Sequence, residues 1–295
     1  MGISQYIKEI GRGPRGSKPL TREQAADLFG QLLDGNVTDL EIGAFCLAMR
    51  IKGETPEEMC GFLDAAHSRM ALFPASDRPV IVLPSYNGAR KLPVLTPLLA
   101  LLLAREGLPV LLHGMRTEAR RTLASDVLLA LGVPALTAPE KIATGSVAHI
   151  ETGYLHAALA RLLKVREVVG LRNAGHSIVK LMNPCAGPAV VVTSYTHPEY
   201  YDMLQATFGA LHMTALLSRG LEGEVATDPR RTPRYDAFVA GVHQLLQEQQ
   251  PGTAADVPGL PTEIDIDTTA RYTQDVLDGR LPVPPALAQQ VEHIL

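Results

Sequence analysis

Short, β-branched-rich apolar runs punctuate the middle of this chain: VIVLP (80–84), LPVLLHG (108–114) and AVVVTS (189–194). Each is too brief for a buried helix, and helical patterns separate them. LTPLLALLLAREG follows the first run, TLASDVLLALG the second and HPEYYDMLQATFG the third. Continuous apolar strands alternating with helices are the mark of a parallel sheet covered on both faces. A further strand is expected at MTALLS (213–218), and a closing helix at ALAQQVEHIL.

Before residue 73 the grammar differs. LTREQAADLFGQLLDG, VTDLEIGAFCLAMRIKG and TPEEMCGFLDAAHSRM each open on a threonine (Thr21, Thr38, Thr55). In the first two, Gln24 and Glu41 stand at the capping-box position and Gly35 and Gly53 stop the helix; Pro56 opens the third. The expected fold class is therefore α/β: a small helical domain (1–73), then a larger domain (74–295) with a mostly parallel sheet wrapped by helices. QEQQPGTAADVPGLPTE reads as irregular linker, and no internal repeat is visible.

The 295 residues carry a net charge of -4, which speaks against a general nucleic-acid binder. The distribution is uneven. From Leu246 onward eight acids face two arginines, so that part is -6 and the rest is +2. Cations cluster at Lys8, Arg12, Arg15 and Lys18, at Arg90 and Lys91, at Arg116, Arg120 and Arg121, and at Arg230, Arg231 and Arg234. Such asymmetry permits a basic groove on an acidic protein; a solvated surface is the plainer reading. The tail could also compete for such a groove. Cys46, Cys60 and Cys185 form no CxxC pair, so neither a disulfide framework nor a zinc site is expected. The N-terminus has no apolar signal core and PVLTPLLALLLA is too short to span a bilayer. A cytoplasmic protein with no membrane partner is expected. There is no GxSxG, P-loop or HExxH, so no catalytic residue is assigned.

Two longer segments carry a resemblance. HGMRTEARRTLASDVLLALGV is similar to the HGNR…SGSADVLEALGV segment of the anthranilate phosphoribosyltransferase and nucleoside phosphorylase superfamily, and VREVVGLRNAGHSIVKLMNP to its R-x-x-L-G-x-R…N-P segment. The resemblance runs from the helical part to about Arg231. It implies a homodimer through the N-terminal helices, and a loop after the first strand that grips phosphoribosyl pyrophosphate. The family's GTGGD loop reads Pro84, Ser85, Tyr86, Asn87, Gly88 here. Proline offers no N–H, and two glycine positions are filled. Thr96 matches a family threonine, but helix capping accounts for it. Ala119 and Arg120 replace two serines. The family's magnesium-binding acids are matched only loosely, by Glu222 and Glu224.

The substitutions add bulk or positive charge: Tyr86, Arg120, His176 and Lys180, with Arg90 and Lys91 alongside, while Arg166 and Arg172 remain. PSYNGARK with an EGE run resembles the YbiB-like branch of the family, regarded as nucleic-acid-binding. That resemblance implies DNA or RNA as partner and no cofactor. The expected phosphate contacts are Tyr86, Asn87, Arg90, Lys91, Arg116, Arg120, Arg121, Arg166, Arg172, His176 and Lys180, with Arg12, Arg15 and Lys18 as an N-terminal arm. Tyr86 could stack a base or plug the emptied pocket. The alternative is a transferase using phosphoribosyl pyrophosphate, with Mg²⁺ on Glu222 and Glu224.

Overall fold

The computed structural model describes residues 2–295 except Pro14 and Ala119. Four helices come first: α1 (Ser4–Ile10), α2 (Arg22–Leu33), α3 (Asp39–Lys52) and α4 (Pro56–His67). Thr21, Thr38 and Thr55 each close a full capping box, with Gln24, Glu41 and Glu58 as the reciprocal partners. Each box satisfies two otherwise orphaned N–H groups at a helix start. Gly35 and Gly53 follow α2 and α3 with φ of 74° and 79°. Phe29, Phe45 and Phe62 pack edge-on and tilted at the centre of this bundle.

The remainder is β1 (Val80–Ser85), α5 (Thr96–Arg105), β2 (Val110–Gly114), α6 (Ala124–Ala130), β3 (Ala135–Leu136) and β4 (Val147–Glu151). Next come α7 (Thr152–Leu155), α8 (Ala157–Val169), α9 (Gly175–Ile178), β5 (Ala189–Tyr195), α10 (Glu199–Ala210) and β6 (Ala215–Arg219). The chain ends with β7 (Tyr235–Val239), β8 (Val242–Gln247), α11 (Ile266–Leu277) and α12 (Pro285–Ile294). The sheet order is β3-β4-β2-β1-β5-β6-β7-β8. Strands through β6 are parallel; β7 and β8 append an antiparallel hairpin. A helical bundle followed by an α/β domain with a mostly parallel sheet is thus the architecture.

One apolar core joins the two parts. Phe29, Phe45 and Phe62 belong to the same buried cluster as Val80, Leu111 and Val191 of the sheet. A second cluster on the opposite face seats α5 under α11 and α12, through Leu99, Leu103, Tyr272, Val276 and Leu287. The acidic C-terminal part is therefore folded against the sheet. Arg105 donates to the Leu277 carbonyl, and Arg280 pairs with Asp275 and Asp278 within the tail itself. Helices α11 and α12 are thus no free arm, while residues 248–264 run as irregular, mostly exposed chain between β8 and α11. Cys46, Cys60 and Cys185 are buried free thiols. Among the described residues no helix is long and apolar enough to cross a membrane.

Strand β1 has β2 on one side and β5 on the other. The direction of winding reverses there, and in open α/β sheets ligands gather beyond the strand carboxyl ends at this reversal.

Candidate functional site

Beyond Ser85 the chain turns through Gly88, at φ 66°, with the Thr122 carbonyl so near that a side chain would collide with it. This turn aims two successive amides at one point. Asn87 N–H and Gly88 N–H both donate to Glu224 Oε1, each at 2.8 Å. Ser85 Oγ and Thr96 Oγ1 donate to Glu224 Oε2 at 2.6 and 2.9 Å. A cradle for an anion is thus built, and a carboxylate of the same chain fills it. Glu224 is only 3% exposed.

Three sequence readings change here. The loss of two glycines does not dismantle the cradle, because amides at 87 and 88 suffice once Gly88 takes the left-handed conformation. Thr96 is no cap: α5 starts without a side-chain cap and the Thr96 hydroxyl turns into the cradle. Glu224 is a poor Mg²⁺ ligand, since each of its oxygens already accepts two hydrogen bonds from donors that a cation would repel. A diphosphate does not fit while Glu224 lies in its place.

Glu222 reinforces the plug from the same turn. Its Oε2 accepts from Arg90 N–H and Lys91 N–H at 2.8 and 3.0 Å, and its carbonyl accepts from Asn87 Nδ2. Glu222 holds φ of 54° and Gly223 φ of 86°. A side chain at 223 would run into the Asn87 amide, so only glycine fits between the two acids. Lys180 Nζ donates to the Gly223 carbonyl at 3.0 Å, and burial pulls its ammonium down to about 8. Behind the turn, Gln290 of α12 accepts from Thr227 N–H and donates to the Val225 carbonyl.

Tyr86 is 3% exposed, with its hydroxyl 2.8 Å from both His113 Nδ1 and Thr152 Oγ1. It plugs the pocket and offers no face to a base. His113 is wholly buried, and burial pushes it down to about 3. His176 is buried beside Asn173; burial, then Arg172 and Arg166, push it down to about 3, so it carries no charge at neutral pH.

The cations differ in what holds them. Arg121, Arg166 and Arg172 converge on Glu118, at 2.7, 2.7 and 3.5 Å. Arg121 also donates to the Asn87 carbonyl, tying the second loop to the first. Arg116 pairs with Asp126 and donates to the Arg121 carbonyl, which gives it a structural duty. Arg90, Lys91 and Arg120 are exposed. Of the two serine replacements, Ala119 lies outside the described residues. The expected N-terminal arm is a folded turn: Arg12 pairs with Glu9, and Lys18 N–H donates to the Glu9 carbonyl, while Arg15 and Lys18 side chains are exposed. Sequence reasoning missed Glu118, Ser85 and Gln290. Only the EGE run signalled any of this, and the four donors to Glu224 lie more than 120 residues away.

Eight cations (Arg90, Lys91, Arg116, Arg120, Arg121, Arg166, Arg172, Lys180) thus gather with four carboxylates (Glu118, Asp126, Glu222, Glu224) around one mouth. These named groups carry more positive than negative charge on a chain whose net charge is -4, and the adjoining cleft adds Arg50 against Glu54 and Glu199. Between α3 and the end of β5 lies a cleft of about 330 Å³, lined by Arg50, Glu54, Arg172, His176, Lys180 and Tyr195 among others.

Residues 4–70 match the model of the glycosyl transferase family helical bundle domain. The chain is 37% identical over 298 residues to the Escherichia coli (strain K12) uncharacterized protein YbiB, spanning 99% of this chain and 92% of that one. It is 28% identical over 295 residues to the anthranilate phosphoribosyltransferase of Persephonella marina, spanning 94% and 83%. Among solved structures, anthranilate phosphoribosyltransferase from Thermus thermophilus superposes with a TM-score of 0.72 at 22% identity, over 97% of this chain and 85% of that one. The Saccharomyces cerevisiae enzyme in complex with PRPP and Mg gives 0.67 at 14%, over 96% and 83%. With its identity to YbiB over nearly the whole of both chains, the chain belongs to the family of YbiB; its residues 4–70 form a glycosyl transferase family helical bundle domain, and its fold is that of the anthranilate phosphoribosyltransferases.

Proposed function

We propose that this protein binds nucleic acid through the basic mouth at the carboxyl ends of β1 and β2, with little sequence preference and without phosphoribosyl transfer. The observation that carries this reading is Glu224 in the phosphate cradle. A carboxylate held by four donors takes the place a diphosphate needs, while arginines and lysines outnumber acids around it. Exposed Arg90, Lys91 and Arg120 suit a repeating phosphate backbone, where each neutralised phosphate releases counterions. The stripe Leu40, Leu47 and Ile51 on α3, 83%, 47% and 58% exposed, suits contact with a second copy. A homodimer would present two mouths and raise apparent affinity by joint occupancy.

The test is affinity for single- and double-stranded oligonucleotides across a salt series. Log affinity should fall linearly with log salt, and Arg90→Ala with Lys91→Ala should cut the slope by up to about 2. Affinity absent at low salt, or flat with salt, sinks the reading. A second reading, transfer from phosphoribosyl pyrophosphate with Mg²⁺, draws on the amide pair that Asn87 and Gly88 still present. It requires the 222–224 turn to withdraw, and calorimetric heat on adding phosphoribosyl pyrophosphate and Mg²⁺ would favour it.

A further inference from the structure

One edge of the sheet is β8. It meets β7 through a two-residue turn, with Val239 opposite Val242, Ala240 at φ 48° and Gly241 at φ 81°. Two positive φ values mark the primed turn that suits strand twist, and the residues flanking such a turn exchange both hydrogen bonds. Alternation then orients every group along β8. Val242 and Gln244 turn their N–H and C=O toward β7, while His243 and Leu245 turn theirs away from the sheet. Among the described residues no backbone group outside the sheet pairs with those of His243 or Leu245. Residues 242–245 are all exposed, so neither face of this edge is covered.

Exposed edges are normally blunted by lysine, proline or other charge. From Val239 to Gln247 this chain has no Lys, Arg, Asp, Glu or Pro. A bulge ends the regular edge after Leu245, since Asp236 faces Leu245 but Tyr235 faces Gln247. A strand seated here must offer its own outward N–H and C=O two residues apart and bring no unpaired charge. A second copy of β8 meets both demands when it lies antiparallel about a twofold axis at Gln244. His243 of each copy then faces Leu245 of the other, and all the outward groups pair. Moving the axis to His243 sets Leu245 against Gly241, whose N–H is spent on the Met213 carbonyl. Moving it to Leu245 sets His243 against Gln247, beyond the bulge. The side chains agree with the central register. The His243 ring is held 5.1 Å from Phe238 and 2.7 Å from Asp236, so Leu245 of the other copy meets a fixed surface. No like charges come face to face.

We propose that β8 pairs with β8 of a second copy about this axis, making the two sheets continuous. The surface is separate from the α3 stripe and from the basic mouth, and it does not rest on the nucleic-acid reading. A contact of this length falls below the roughly 1,200 Å² of stable complexes. The pairing is therefore transient in dilute solution and is detected by trapping it.

Gln244→Cys puts two thiols at a non-hydrogen-bonded pair with Cα atoms about 4.5 Å apart, inside the reach of a disulfide. The three native cysteines are buried, so the added thiol is the accessible one. Under mild oxidation a disulfide-linked dimer should form roughly tenfold faster than in Val242→Cys, whose thiols would stand about 14 Å apart. Adding Leu245→Pro to Gln244→Cys should slow the link roughly tenfold. Proline is tolerated where the lost N–H faces outward from an edge strand, and an unchanged circular dichroism melt checks that the fold survives. The link should persist with Leu47→Glu and Ile51→Glu in the same chain, which separates the edge from α3. Equal rates at 242 and 244, or indifference to Leu245→Pro, overturn the pairing. Absence of any linked dimer also overturns it and leaves the edge to a strand of another protein.

Discussion

Glu224→Ala tests the plugged cradle directly. The side chain is almost fully buried and accepts four hydrogen bonds between 2.6 and 2.9 Å, two from backbone amides that cannot turn elsewhere. Stranding a buried donor costs about 1–3 kcal/mol, and breaking a buried charged network about 3–5 kcal/mol. Water entering the emptied space recovers part of the four-donor sum, so about 3–5 kcal/mol is expected. That is a large share of a stability of about 5–15 kcal/mol. At about 2–4 °C per kcal/mol for a chain near this size, the melting temperature should fall by about 6–20 °C. The assay is thermal unfolding with and without inorganic pyrophosphate. In the variant, pyrophosphate at about 100 times its dissociation constant should restore about 2.7 kcal/mol; in the parent protein it should shift nothing. A fall below about 2 °C, or a parent protein stabilised by pyrophosphate, refutes the plug.

Tyr86→Phe should cost about 1–3 kcal/mol, because it strips a partner from His113 and Thr152; oligonucleotide affinity should not change, and a loss of affinity would revive base stacking. Lys180 is held at about 8 against an ordinary 10.5, so between these values the unfolded chain binds the extra proton. Unfolding free energy should therefore rise with pH from about 8 to 10.5 while polyanion affinity falls, measured by denaturant titration and binding at each pH. Leu47→Glu with Ile51→Glu should leave a monomer by light scattering if α3 meets a second copy; a parent protein that is itself monomeric disposes of the dimer.

Helices α2, α3 and α4 were legible because each declares itself locally: a threonine, a glutamine or glutamate three residues on, and in two cases a glycine stop; α1 was not, since it starts at Ile3 with no side-chain cap. Strands β1, β2, β5 and β6 were legible because burial on both faces writes an unbroken apolar run. The hairpin of β7 and β8 was not, since β8 lies at the sheet edge and carries exposed Val242, His243, Gln244 and Leu245. Strand β4 hid behind His149, whose ring is buried against the Val133 carbonyl. At the site, the loop's composition reads as a broken cradle because the sequence cannot show that one glycine at φ 66° aims both amides. Nor can a count of arginines reveal that three of them share Glu118. Charge is additive along a chain, but pairing depends on who meets whom across the fold.

The grip of Gln290 on the Val225–Thr227 backbone makes the end of the chain a mechanical stay for the entrance of the site. Any extension, tag or cut that unseats the last ten residues slackens the peptide on which Glu224 is mounted. Helix α12 thereby braces, from beneath, the turn that carries the plugging carboxylate.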